Sequence, residues 1–137
     1  MKEYINEVNF VNSMKFSGET CKQQMASSNI VIVDFLSTSY LEALQINVPT
    51  ICFFDNDSMY LNEKFTDFFD DLIKGKIFHT TAQSAANHLV SIFEKPQEWW
   101  QDTNTQALKN RWLKRNFGKP DLLVEYLLDL AFEKKGR

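Results

Sequence analysis

Residues 29–55 read NIVIVDFLSTSYLEALQINVPTICFFD, and this stretch decides the fold. Ile30 to Phe35 and Thr50 to Phe54 are continuous apolar runs rich in β-branched and aromatic residues. Such runs suit strands covered on both faces of a parallel sheet. Between them, Ser39 to about Asn47 predicts a helix of about nine residues, the size of a βαβ crossover. Asn47-Val48-Pro49 ends it, because asparagine tolerates a left-handed cap and proline cannot continue a helix. The polar loop Leu36-Ser37-Thr38 therefore sits at the carboxyl end of a strand and opens a helix. In open α/β sheets anionic ligands bind at that position.

Working outward, the same alternation recurs on both sides. Towards the amino end, Val8 to Val11 is a short strand candidate, and Ser17 caps a helix to about Ser28 with Cys21 and Met25 on its inner face. Towards the carboxyl end, Asn62 caps a helix carrying Phe65, Phe68, Phe69, Leu72 and Ile73 on one stripe, closed by Lys74-Gly75. Lys76 to His79 is a strand. Thr80-Thr81-Ala82-Gln83 has the capping-box pattern and opens a helix with Ala82, Ala85, Ala86, Leu89 and Phe93 inward. This order predicts an α/β fold: a partial Rossmann-like parallel sheet of about four strands over residues 1–94.

Residues 95–137 form an all-helical tail. Lys95-Pro96 interrupts the alternation, Trp99-Trp100 follows, and a helix runs from about Thr103 to Asn116. A last helix from Asp121 to about Lys134 carries Asp121, Glu125 and Asp129 as one acidic stripe and is otherwise apolar from Leu122 to Phe132. That excess of apolar surface predicts a partner contact, in the simplest case a homodimer through Leu123, Leu127 and Leu130.

Composition narrows the function classes. The 137 residues carry a net charge of −3, with 44% hydrophobic and 24% charged residues, as in an ordinary globular domain. That balance gives no case for a nucleic-acid partner. The two cysteines, Cys21 and Cys52, make neither a disulfide framework nor a metal site. No apolar run approaches the roughly 20 residues of a membrane span, and no signal-peptide core opens the chain. The expectation is a cytoplasmic protein with no metal and no cofactor.

Ser37, Thr38 and Ser39 are the first candidate site residues, since hydroxyls and free N–H groups at a helix start suit a phosphate. The plain alternative makes Ser39 an N-cap. Ser39-x-x-Glu42 is itself a capping box, which would hold Glu42 for structure alone. Asp34 and His79 close strands at the same sheet edge and are candidate cleft residues, His79 being more often a hydrogen-bonded structural group. His88 falls on a helix flank with no evident partner. Lys109, Arg111, Lys114, Arg115 and Lys119 read as a solvated face, or as a complement to Asp55–Asp71, where six acids meet one lysine.

The run STSYLEALQINVPTICFF resembles the donor-site segment of GT-B-type glycosyltransferases, closest to large bacterial transferases of surface-carbohydrate assembly. Their D-x-x-S-T-x-x-x-E-A-L-x-x-N-x-P-T pattern is met by Asp34, Ser37, Thr38, Glu42, Ala43, Leu44, Asn47, Pro49 and Thr50. Further similarity lies in Gly75 to His79, Trp99-Trp100 and Arg111 to Phe117. The resemblance implies a nucleotide-activated sugar as ligand, phosphate at Ser37 to Ser39 and ribose at Glu42. It also implies a C-terminal donor-binding portion, whose acceptor site and base come from an N-terminal transferase domain or partner subunit. The rival expectation is a non-catalytic interaction module docking through its last helix.

Overall fold

The computed structural model describes residues 20–35, 37–54 and 63–117. The candidates Val8 to Val11, Ser17 and Asp121 to Lys134 lie outside the described residues. Element order is α1 (Cys21–Ala26), β1 (Val31–Val33), α2 (Thr38–Gln45), β2 (Thr50–Phe53), α3 (Glu63–Phe68), α4 (Asp70–Lys74), β3 (Phe78–His79), α5 (Ala82–Ile92), α6 (Pro96–Trp100) and α7 (Thr103–Phe117). The strands form a parallel sheet in the order β1-β2-β3. Val31, Ile32 and Val33 stand opposite Thr50, Ile51 and Cys52. Among the described residues the sheet has three strands, against about four expected.

The side-chain period of two sorts β2 between two helical layers. Cys52, with Phe54 just beyond the strand, joins Tyr40 and Leu44 of α2, Leu72 of α4, Trp100 and Trp112 in the main core. Ile51 faces the other way, onto Ala85 and Ile92 of α5, with Phe53 and Leu89 beside it. A smaller cluster of Met25, Ala43 and Val48 joins α1 to α2.

Helices α2 and α4, which lead into β2 and β3, end in the same device. Behind α2, Asn47 takes φ 59°, with its N–H bonded to Leu44 O at 3.2 Å and Val48 N–H to Ala43 O at 3.3 Å. Behind α4, Lys76 takes φ 57°, with its N–H on Ile73 O at 3.0 Å and Ile77 N–H on Leu72 O at 2.8 Å. These are Schellman caps, closed by the apolar contacts of Val48 and Ile77 with the helix they leave. The expected glycine stop is thus displaced: Gly75 is right-handed at φ −77°, and the left-handed residue is Lys76. A lysine there bears a steric cost that glycine avoids. Lys76→Gly is expected to raise stability by about 0.5–1 kcal/mol, read as a higher denaturation midpoint in urea. A lower midpoint would show that the turn is not strained.

Other expectations shift for physical reasons. Helix α1 is capped by Thr20, whose hydroxyl accepts from Gln23 N–H while the Gln23 side chain returns to the Thr20 N–H, so the start lies after Ser17. Cys21 is exposed and only Met25 points inward. The single helix expected across residues 62–73 breaks at Phe69 into α3 and α4. Phe69 is buried while Phe68 stays 42% exposed. The break turns Phe69 into the core, stacked on Phe78 at 4.5 Å and 8°.

Helix α5 is capped by Thr81 rather than Thr80. Its inner stripe is Ala85, His88 and Ile92, with Ala82, Ala86 and Phe93 outside. Strand β1 is not covered on both faces: Ile32 is 52% exposed, because α5 packs over β2 and β3. No described helix is long and apolar enough to cross a membrane.

Candidate functional site

The carboxyl end of β1 delivers the chain to Asp34, which is exposed. A tight turn follows, with Ser37 N–H bonded to Phe35 O at 2.8 Å. Ser37 is extended (φ −121°, ψ 175°), and its side-chain oxygen accepts from Ser39 N–H at 3.3 Å. Ser37 is therefore the N-cap and Thr38 the first helical residue. This corrects the reading of Ser39 as cap. It also removes the capping box: Glu42 lies too far along the helix to return to the cap N–H, a task that falls to the third helical position.

Freed from that role, Glu42 is half-buried and stands one turn beyond exposed Thr38, on the same helix face. Ser39 is half-buried beside them. The first turn is fixed from beneath by Tyr40, buried and 6.3 Å from each of the Phe54, Phe69 and Trp112 rings. A hydroxyl pair, the positive end of a helix dipole and a carboxylate one turn on are thus held on a rigid element. That set can take an anion at the helix start and a hydroxyl-bearing group at Glu42.

His79 is not part of this group. Its ring turns along β3 towards α5: Nε2–H donates to Lys76 O at 3.0 Å, and Ser84 Oγ–H donates to Nδ1 at 2.8 Å. The carbonyl can only accept, which fixes the tautomer of the neutral ring. Burial lowers its pKa. His88, read as a helix-flank residue with no evident partner, is 8% exposed, with its ring 5.4 Å from His79 and edge-on to Trp99 at 4.7 Å. Burial first, then His79 and Lys76, push its pKa down to about 4. Cys52 lies inside the main core, and burial pushes its thiol up to about 12, so it is unreactive at neutral pH.

Of the basic run, Lys109, Arg111 and Arg115 are engaged in structure, Lys114 is exposed, and Lys119 lies outside the described residues. Asp71 is 4% exposed and receives Arg111 Nε–H at 3.0 Å and an Arg111 Nη2–H donor. Arg115 stands 3.4 Å from the same carboxylate. The Arg111 hydrogen bonds hold the Asp71 pKa below its usual value. Lys109 is only 3% exposed; its ammonium donates to Asn47 Oδ1, and burial lowers its pKa. Trp100 Nε1–H is 3.0 Å from both Asn47 O and Asn47 Oδ1. Asn47 thus caps α2 and anchors the tail helices. The local signal showed only the cap, since its partners lie 53 and 62 residues away.

Among the described residues, no three His, Cys, Asp or Glu gather to hold a metal. No curated protein and no solved structure matches the chain significantly. A family model described as LIC12162 family transferase matches residues 1–127. The match takes in the β1–α2–β2 unit, the helix start at Ser37 and the helices α6 and α7. The chain belongs to the LIC12162 family of transferases.

Proposed function

We propose that the chain is the donor-binding portion of a GT-B-like glycosyltransferase of bacterial surface polysaccharide biosynthesis, with a nucleotide-activated sugar as ligand. The observation that carries this reading is the α2 start at the carboxyl end of β1. There Ser37 caps the helix, Thr38 and Ser39 flank the cap, and Glu42 follows one turn later without a capping duty. The phosphates of the donor occupy the Ser37–Ser39 end and the ribose hydroxyls donate to Glu42. Membership of a transferase family supports the group-transfer chemistry.

In this reading the acceptor site and the catalytic base come from an N-terminal transferase domain or partner subunit. Exposed Ile32, Phe35, Val90 and Phe93 supply apolar surface for such a contact.

Glu42→Gln is the discriminating variant. Stability is expected to change by less than about 0.5 kcal/mol, because the carboxylate does not close the helix. Affinity for the cognate nucleoside diphosphate should fall by about 1–3 kcal/mol, roughly 5- to 150-fold, through loss of a charged acceptor. Isothermal titration of the two proteins checks both parts. Equal affinities would remove the ribose role from Glu42.

A further inference from the structure

A polar cleft of about 370 Å³ lies along β3, between the end of α4 and α5. Its floor is Ile73, Phe78 and the buried imidazoles of His79 and His88. Its rim is Lys76, Thr80, Ser84, Asn87 and Ser91. None of the Ser37–Glu42 residues lines it, so it is separate from the donor site proposed above.

The cleft is one-sided in charge: one lysine lines it and no carboxylate does. Its hydrogen-bonding capacity is also uneven. Ser84 Oγ–H is committed to His79, Ser91 Oγ–H to His88 O, and Asn87 Oδ1 accepts from Gln83 Nε2. That leaves the Lys76 ammonium, the Thr80 hydroxyl and the Asn87 amide N–H groups as uncommitted donors among the lining residues. The floor carries an independent sign of incompleteness: His88 is more than nine-tenths buried, and its Nε2 has no hydrogen-bond partner among the described residues. A buried polar atom in that state marks a place where a compensating group is absent.

We propose that this cleft binds a small phosphoryl- or sulfate-type anion between Lys76, Thr80 and Asn87, above the His79–His88 floor. The groups facing His88 are Lys76 from the α4–β3 turn, His79 from β3 and the uncharged Trp99 ring from α6. Burial is the main cause that keeps His88 neutral and the basic neighbours His79 and Lys76 add to it, so an entering anion offsets that added repulsion. Anion binding and His88 protonation are therefore coupled, each strengthening the other.

Sulfate is the suitable probe, because its charge is constant across the range in which histidine titrates. Followed by NMR at constant ionic strength, the His88 imidazole should titrate at least half a unit higher in saturating sulfate. That corresponds to about threefold tighter sulfate binding by the protonated form. Lys76→Gly keeps the left-handed turn while removing the cation, and Asn87→Ala removes an amide donor. Each should abolish most of the sulfate-induced increment without unfolding the chain. A sugar phosphate that binds more tightly than sulfate would assign the anion to a phosphosugar, and equal binding would assign it to a free ion. No increment in the unaltered protein, or an equal increment in Lys76→Gly, overturns the proposal.

Discussion

Trp112→Ala is expected to destabilise the fold by about 4 kcal/mol, the largest effect of any single change in the core. Trp112 is 1% exposed, stacked on Phe69 at 6.0 Å and 18° and edge-on to Phe68 at 5.6 Å. It also repairs the α3–α4 break. A continuous helix would use Phe68 O for the N–H four residues on; here that carbonyl accepts Trp112 Nε1–H at 3.0 Å. The alanine variant therefore opens a cavity and orphans an acceptor together. Trp112→Phe keeps most of the volume and should cost only about 1–2 kcal/mol. Urea unfolding of both variants checks the ranking. A loss below about 1 kcal/mol in the alanine variant would show that α7 does not hold this core together.

The second large effect is acid sensitivity through His88. Its folded pKa of about 4 lies below the unfolded value of 6.5. For a base depressed in this way, the stabilisation is fully present above the unfolded pKa. It is lost as pH falls from about 6.5 through about 4, because the unfolded chain binds the proton first. The loss should reach on the order of 2 kcal/mol, once screening through the open cleft is allowed for. His79, lowered in the same direction, adds to it. Asp71 is also lowered, so its contribution is lost at still more acidic pH, below the ordinary carboxylate range. Stability measured against pH should therefore fall in separate steps. His88→Phe, which fills the site without a titrating group, should flatten the first step and leave the acidic one. An unchanged profile in that variant would exclude His88 as the cause.

The parallel βαβ unit was legible in the sequence because its signals are local: two β-branched runs, a hydroxyl-rich start and Asn47 ahead of Pro49. The Asn47 cap and the extent of α7 follow from such signals. The misses come from contacts that local patterns do not contain. Ser37 won the cap from Ser39 because the turn on Phe35 O brings its hydroxyl to the Ser39 N–H. Phe69 broke an otherwise regular stripe to reach Phe78 and Trp112. His88 looked like a flank residue until α6 brought Trp99 against it. Lys109 is charged by type yet buried, because its partner Asn47 comes from a distant turn. Arg111 and Arg115, one helical turn apart, were the available sign of a clamp on a single carboxylate.

The donor-site reading is tested most directly by amide chemical-shift mapping with a panel of nucleoside diphosphates. The account predicts that at least one of them gives saturable shifts centred on Ser37, Thr38, Ser39 and Glu42. A folded protein that shows no saturable shift at the α2 start with any of them would contradict it.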